Sequence, residues 1–127
     1  MMTDHGIVDV STGRVLADRA SLARGVVRRL MGLLLRRRLE EGEGLIIPRC
    51  RAIHTWFMRF PIDLVFLQRS RVIRLIEVLP PWRITGAMRA DAVIELPAGT
   101  ISRSRVRVND IMNIVEKPLD NAKRARV

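Results

Sequence analysis

Short apolar stretches separated by turn residues recur along this chain and predict a protein built mainly from β-strands. Several of these stretches alternate apolar with polar positions, as half-buried strands do, and glycine, proline or asparagine bounds most of them. Short, closely spaced strands are typical of a small antiparallel sheet rolled into a barrel or a sandwich. The predicted strands cover residues 6–10, 14–17, 45–47, 62–67, 72–79, 92–96, 101–108 and 111–115.

The segment that follows residue 20 has a different period and predicts an amphipathic helix near the N-terminus. Ser21 is a suitable N-cap, and apolar residues recur after it at spacings of three and four, which places them on one helix face. The predicted fold class is therefore α+β, mainly β: a small antiparallel β-barrel or sandwich with one amphipathic helix. The apolar residues of this helix are Leu22, Val26, Val27, Leu30, Met31 and Leu34.

The length of 127 residues fits one domain that buries a core without disulfides. We expect a single globular domain over residues 1–116, followed by a basic and loose tail over residues 117–127. The start lacks the regions of a secretory signal, and no apolar run approaches the ~20 residues that span a membrane. We therefore expect a cytoplasmic protein without a membrane span.

The chain is strongly basic, with 23 Lys and Arg against 13 Asp and Glu and a formal net charge of +10. One interpretation is weak, salt-sensitive association with polyanions such as nucleic acid, through counterion release. The other is a compositional bias toward arginine, which is favoured because only Lys117 and Lys123 are lysines. The residues that would carry nucleic-acid association are Arg24, Arg28, Arg36, Arg37, Arg38, Arg103, Arg105 and Arg107.

Residues 54–63 combine a histidine, a tryptophan, an arginine and an aspartate in a stretch that otherwise resembles core strand. A fold carries buried ionisable groups for a reason, because burying them unpaired is costly. A cleft here would bind a polar or anionic ligand, with the arginine pairing with the anion and the tryptophan stacking on the ligand. Alternatively, Asp63 accepts backbone or arginine hydrogen bonds and only locks a corner of the fold. The candidate ligand-binding residues are His54, Trp56, Arg59, Asp63 and Glu95.

An enzymatic role is a further interpretation of this segment. Asp63 and His54 could act together in a hydrolase-like reaction, as a carboxylate–imidazole pair. No phosphate loop, dinucleotide fingerprint or nucleophile elbow is present. The single cysteine, Cys50, excludes an internal disulfide and a multi-cysteine metal site. We expect no metal and no cofactor, and the sequence favours a protein that is not an enzyme.

The five aromatic residues are few enough to consider one by one. Trp56 and Phe57 would point to opposite faces of an extended segment, so one of the two is a candidate for exposure. Trp82 follows two prolines and is a second candidate. The remaining rings are expected in the core.

Six short motifs follow one another along the chain: RLMGL at 29–33, GEGL at 42–45, HTWFMRFPIDLVFL at 54–67, PWR at 81–83, ELPAG at 95–99 and ND at 109–110. In this order they resemble a family of small bacterial and archaeal domains catalogued as domain of unknown function 192. The resemblance covers about residues 20–115, and the motif at 54–67 is its most distinctive part. It implies a compact, mostly β single domain with a helix near its start, and no established activity.

These features lead us to expect an uncharacterised β-barrel module that binds a small polar or anionic ligand near residues 54–63. Nucleic-acid association through the arginine surface and a hydrolase-like activity are the two alternatives. The sequence specifies neither the ligand nor the oligomeric state.

Overall fold

The computed structural model describes residues 3–23 and 38–118, and over these residues the protein is mostly β-strand with one short helix. Most strands coincide with the apolar stretches that predicted them. The helix is α1 (Thr100–Ser104). The strands are β1 (Thr3–Asp9), β2 (Arg14–Leu22), β3 (Glu43–Pro48), β4 (Ala52–His54), β5 (Ile62–Gln68), β6 (Arg71–Leu79), β7 (Ile84–Gly86), β8 (Ala92–Pro97) and β9 (Met112–Pro118).

Seven of these strands form one sheet, in the order β6-β5-β8-β3-β2-β1-β9. Each neighbouring pair is antiparallel except β2 and β3, which run parallel, with Ser21 opposite Leu45. A parallel pair needs a long crossover connection. This connection contains residues 24–37, which lie outside the described part of the chain. β4 and β7 form a separate two-stranded sheet, in which His54 lies opposite Ile84.

The large sheet curls until its two edge strands meet at one end. The Met112 N–H donates to the Ser70 carbonyl at 2.8 Å, and the Val72 N–H donates to the Asp110 carbonyl at 2.9 Å. These bonds pair backbone groups that an open sheet edge would leave exposed. The predicted class, a mainly β protein with a small rolled sheet, is confirmed.

Side chains are buried on both faces of the large sheet, where they form two apolar clusters. In β5, Val65 belongs to one cluster, whereas Leu64 and Phe66 belong to the other. The first cluster includes Ile101 of α1, so we call its side of the sheet the α1 face. The second includes Ile53 of β4, so we call its side the β4–β7 face. Burial on both faces explains why β5 is a nearly continuous apolar run.

Residues 101–108 do not form the strand that their alternation predicted. Thr100–Ser104 is a helical turn, preceded by Gly99 in the left-handed region with φ 95°. It ends at Arg105, whose N–H donates to the Ile101 carbonyl. The Ile101 N–H in this turn donates to the buried carboxylate of Asp63 in β5, and a local sequence pattern cannot show this distant contact. The arginines of this segment therefore do not share one strand face.

The predicted helix does not begin at Ser21. Strand β2 continues through Leu22, and Ser21 is paired with β3 instead of capping a helix. The remainder of that prediction falls on residues 24–37, outside the described residues. Within the described residues, the structure contains no helix with the length and apolar character needed to cross a lipid bilayer.

Candidate functional site

Asp63 is buried in β5 on the α1 face, where it lies opposite Leu96 of the α1-face cluster. Its Oδ1 accepts a hydrogen bond from the Val78 N–H at 2.8 Å. Its Oδ2 accepts from the Gly99 N–H at 3.1 Å and from the Ile101 N–H at 2.8 Å. These three bonds join β5 to β6 and to α1 and give three backbone N–H groups an acceptor. The carboxylate therefore acts as a structural clasp, the alternative that the sequence left open.

Glu95 is buried on the other side of the same sheet. It lies opposite Leu45 of β3 and Leu64 of β5, which both belong to the β4–β7-face cluster. Desolvation raises the pKa of Glu95 to about 7, because burial penalises the charged carboxylate. Since the sheet separates Glu95 from Asp63, the two carboxylates do not line one cleft.

Thr55, which sequence reasoning did not single out, organises the loop after β4. Its buried hydroxyl donates to the Pro80 carbonyl at 2.7 Å and accepts from the Arg83 N–H at 2.9 Å. Its own N–H donates to the Arg83 carbonyl at 2.8 Å, and its carbonyl accepts from the Trp82 N–H at 3.0 Å. One buried threonine thus fixes the loop after β4 against the segment that follows the two prolines.

The side chains held in place by this network form an exposed aromatic surface. The rings of His54 and Trp56 have centroids 5.0 Å apart, and those of Phe57 and Trp82 have centroids 4.8 Å apart in an edge-on arrangement. Trp56 is 45% exposed, Phe57 66% and Trp82 59%, and Ile84 beside His54 is 70% exposed. We call His54, Trp56, Phe57, Trp82 and Ile84 the aromatic platform.

Phe57 and Trp82 both occupy the left-handed backbone region, with φ of 67° and 65°. This conformation is unfavourable for a bulky L-residue, and such positions cluster at binding and active sites. The Trp82 N–H donates to the Thr55 carbonyl at 3.0 Å, and the N–H of Met58, the residue after Phe57, donates to the same carbonyl at 3.2 Å. Residues 55–60, after β4, are therefore a turn rather than an extended strand, and Trp56 and Phe57 are both exposed rather than one of them.

The segments that carry the platform are basic. Residues 49–61 and 80–91 contain five arginines and a single acidic residue, Asp91. Asp91 is already engaged, because its carboxylate accepts the Arg69 N–H at 2.7 Å. Arg59, a predicted site residue, is exposed two positions after Phe57. The arginines of these segments are Arg49, Arg51, Arg59, Arg83 and Arg89, all of them exposed.

Four of the eight arginines of the nucleic-acid alternative lie in the described residues. Arg24, Arg28, Arg36 and Arg37 lie outside the described residues. Arg38 pairs with Glu40 at 3.0 Å, and Arg103 lies 3.8 Å from Glu41, all at exposed positions. Arg103 also borders an open groove of about 300 Å³ between β2 and α1. Arg105 and Arg107 are exposed at the end of α1 and beyond it.

The enzymatic and metal interpretations gain no supporting geometry. Both oxygens of Asp63 are occupied on the α1 face, whereas His54 belongs to the small sheet that covers the opposite face. The buried Sγ of Cys50 donates to the Ala52 carbonyl at 3.2 Å. Among the described residues, no group of three or more His, Cys, Asp and Glu side chains is placed to hold a metal ion.

The fold is a mainly β domain with a curled seven-stranded sheet and a small two-stranded sheet, and it carries the six sequence motifs in the order given above. The sequence pattern of domain of unknown function 192, described as an uncharacterized ACR, matches residues 8–114. The chain belongs to this family.

Curated relatives come from archaea and carry no assigned activity. The "UPF0127 protein" of Thermococcus gammatolerans is 30% identical over 112 residues, which cover 84% of this chain and 73% of the relative. The "UPF0127 protein" of Pyrococcus furiosus is 28% identical over 108 residues, which cover 82% of this chain and 93% of the relative.

Two solved structures share the fold. A Sinorhizobium meliloti protein, proposed to be a transcription regulator, superposes with a TM-score of 0.75 at 23% identity, over 87% of this chain and 92% of that one. A protein of unknown function from Novosphingobium aromaticivorans gives a TM-score of 0.73 at 23% identity, over 86% of this chain and 82% of that one. These likenesses concern the fold alone.

Proposed function

We propose that this protein is a non-enzymatic binding module whose site is the aromatic platform, and that its ligand carries a ring and an anionic group. The observation that carries the proposal is the exposure of Trp56, Phe57 and Trp82 on two loops that the buried Thr55 joins. Sequence reasoning placed the ligand in a cleft near residues 54–63. The proposal keeps that segment and moves the ligand to its outer surface.

The exposed rings lack the stabilisation that burial in the core would give them. Burying an aromatic side chain is worth about 1.5–3 kcal/mol, and this fold leaves Phe57 and Trp82 in water while holding their backbones in a strained region. Contiguous exposed apolar surface marks binding sites in monomeric proteins. Stacking on an exposed ring contributes about 1–3 kcal/mol to binding, so the platform can supply useful affinity.

The arginines beside the platform indicate that the ligand carries an anionic group. Arg59 and Arg83 are exposed on the two segments of the platform, and the acidic residue of these segments is engaged elsewhere. A guanidinium group binds phosphate or carboxylate oxygens through two parallel hydrogen bonds. Asp63 and Glu95 contribute to the frame of the protein in this proposal and do not contact the ligand.

Tryptophan fluorescence tests the proposal, since both tryptophans lie on the platform. Adenosine monophosphate carries both a ring and an anion, adenosine carries only the ring, and inorganic phosphate carries only the anion. We expect quenching by the monophosphate, weaker quenching by adenosine and none by phosphate. Calorimetry with Trp82→Ala should then give roughly tenfold weaker binding of the monophosphate.

The matched control is Val15→Ala, which removes an exposed apolar side chain from β2, away from the platform. This variant should bind the monophosphate as the original protein does. The proposal would be contradicted if Trp82→Ala and Val15→Ala bound adenosine monophosphate with equal affinity. It would also be contradicted if neither adenosine monophosphate nor adenosine quenched the fluorescence.

A further inference from the structure

We infer that the ligand of the aromatic platform is a single-stranded nucleic acid, an inference that rests on the proposed function and narrows it to one substrate class. The first step is the number of rings. His54 with Trp56, and Phe57 with Trp82, are two separate ring pairs on adjoining segments. Two stacking places suit successive bases of a strand better than the single ring of a small metabolite.

The second step is the distribution of charge around the rings. Arginines lie before and after the platform residues of the first segment, at positions 49, 51 and 59, and between and after those of the second, at positions 83 and 89. Arg51, Arg59 and Arg83 are exposed and have no ion pair with an acidic side chain of the described residues. A chain of phosphates can engage several guanidinium groups at once, whereas a single anionic group occupies fewer of them.

The exposed rings favour a single strand over a duplex as the ligand. Bases in a duplex are already stacked on their neighbours, so an exposed ring can stack only on a base that is unpaired. The platform consists of short loops and a three-residue strand, β7, rather than a helix or β-ribbon long enough to enter a groove. The same net charge of +10 on every copy disfavours a second copy of this chain as the occupant.

Fluorescence anisotropy with labelled oligothymidylate tests this inference, using ~12 nucleotides because one such module covers about 4–16. We expect the single strand to bind at least about tenfold more tightly than a duplex of the same length, and more tightly than thymidine monophosphate. Trp82→Ala should weaken binding of the oligonucleotide about tenfold, whereas Trp82→Phe, which retains a stacking ring, should keep most of the affinity.

Charge is tested by two matched double variants that each remove two arginines. Arg59→Ala with Arg83→Ala should weaken binding and reduce the slope of log Kd against log salt by about 1–2. Arg14→Ala with Arg71→Ala removes exposed arginines outside the two platform segments and should change neither quantity appreciably. Equal weakening by both pairs would overturn the inference, because binding would then depend on total charge alone.

The remaining outcomes separate this inference from the proposed function. If adenosine monophosphate quenches the tryptophans but oligothymidylate binds no more tightly than a mononucleotide, the nucleic-acid inference fails and the proposed function stands. If neither binds, both fail. Equal affinity for single strand and duplex, or concentration-dependent dimerisation in sedimentation that Trp82→Ala abolishes, also overturns the inference.

Discussion

The Asp63 carboxylate accepts a hydrogen bond from the Ile101 N–H at 2.8 Å, across 38 positions of sequence. The bond is buried and links β5, the strand beside the edge strand β6, to the first turn of α1. It accounts for two features: the presence of a carboxyl group inside an apolar strand, and the helical turn that follows Gly99. Both carboxyl oxygens of Asp63, a predicted ligand-binding residue, are thus engaged by backbone N–H groups.

Asp63→Asn should destabilise the protein by roughly 2–4 kcal/mol. The amide replaces one acceptor oxygen with a donor that faces backbone N–H groups, which leaves buried donors unsatisfied. Urea unfolding followed by circular dichroism measures the difference. The exposed Asp18→Asn serves as the control and should change stability by less than about 0.5 kcal/mol. Equal midpoints for the two variants would show that the clasp is unimportant.

Glu95 should make stability depend on pH. Its pKa is about 7 in the folded protein against an ordinary value of 4.5, because of desolvation. Between these two values the folded state holds a proton that the unfolded chain has released, so stability falls as pH rises from 4.5 to about 7. Below this window the cost is absent, and above it the cost is complete, at an order of magnitude of about 3 kcal/mol.

Glu95→Gln should remove this dependence, because the amide is neutral throughout. The variant should match the original protein near pH 4.5 and exceed it above about pH 7 by about 2–3 kcal/mol. Denaturant unfolding across this pH range measures both curves. The exposed Glu77→Gln is the control and should follow the original curve. A Glu95→Gln curve parallel to the original one would exclude titration of Glu95 as the cause.

Thr55→Val should cost about 1–3 kcal/mol of stability and also disorganise the platform. The substitution keeps the shape but removes the hydroxyl that the Pro80 carbonyl and the Arg83 N–H use. Denaturant unfolding measures the first effect, and quenching of tryptophan fluorescence by adenosine monophosphate measures the second. Thr55→Ser restores the hydroxyl and should recover both. A loss of stability with unchanged quenching would limit Thr55 to a structural role.

The turn between β5 and β6 should accept a stabilising substitution. Arg69 and Ser70 have φ of 49° and 69°, the left-handed pair that a type I′ turn requires and that Asn-Gly favours. Arg69→Asn with Ser70→Gly should therefore raise the unfolding free energy by about 1 kcal/mol. Ser102→Gly, in the middle of α1, should lower it by about 0.5–1 kcal/mol, because glycine is unfavourable in a helix. Thermal melts of both variants compare the two effects, and a destabilised turn variant would contradict the assignment.

The sequence predicted the strands well where burial follows a local period. Strand β5 was predicted to within one residue because both of its faces are buried, and its partner β6 follows a short turn. The prediction of a strand over residues 101–108 was wrong. Apolar and polar positions that alternate over a short segment fit a strand almost as well as they fit a helical turn followed by a loop. The hydrogen bonds from Asp63 decide between the two, and they come from a distant part of the chain.

In the candidate site, too, the sequence identifies some residues, whereas contacts between distant segments decide how they are arranged. Residues 54–63 could be identified from composition, and Trp82 could be identified as a ring that follows two prolines. Phe57 and Trp82 meet only because Thr55 joins their loops, a contact between residues 28 positions apart. The separation of Asp63 from Glu95 depends on the pairing register of β5 and β8, since a shift of one residue would exchange the faces of one strand.

The sequence by itself determined a mainly β domain, its principal strands, its family resemblance and the segment where its unusual residues concentrate. These follow from patterns that extend over a few residues, in which each side chain's environment depends on its neighbours in the chain. The tertiary structure alone decided which polar groups serve the frame and which rings remain exposed. That decision depends on hydrogen-bond partners and strand register supplied by distant segments, so no local pattern contains it.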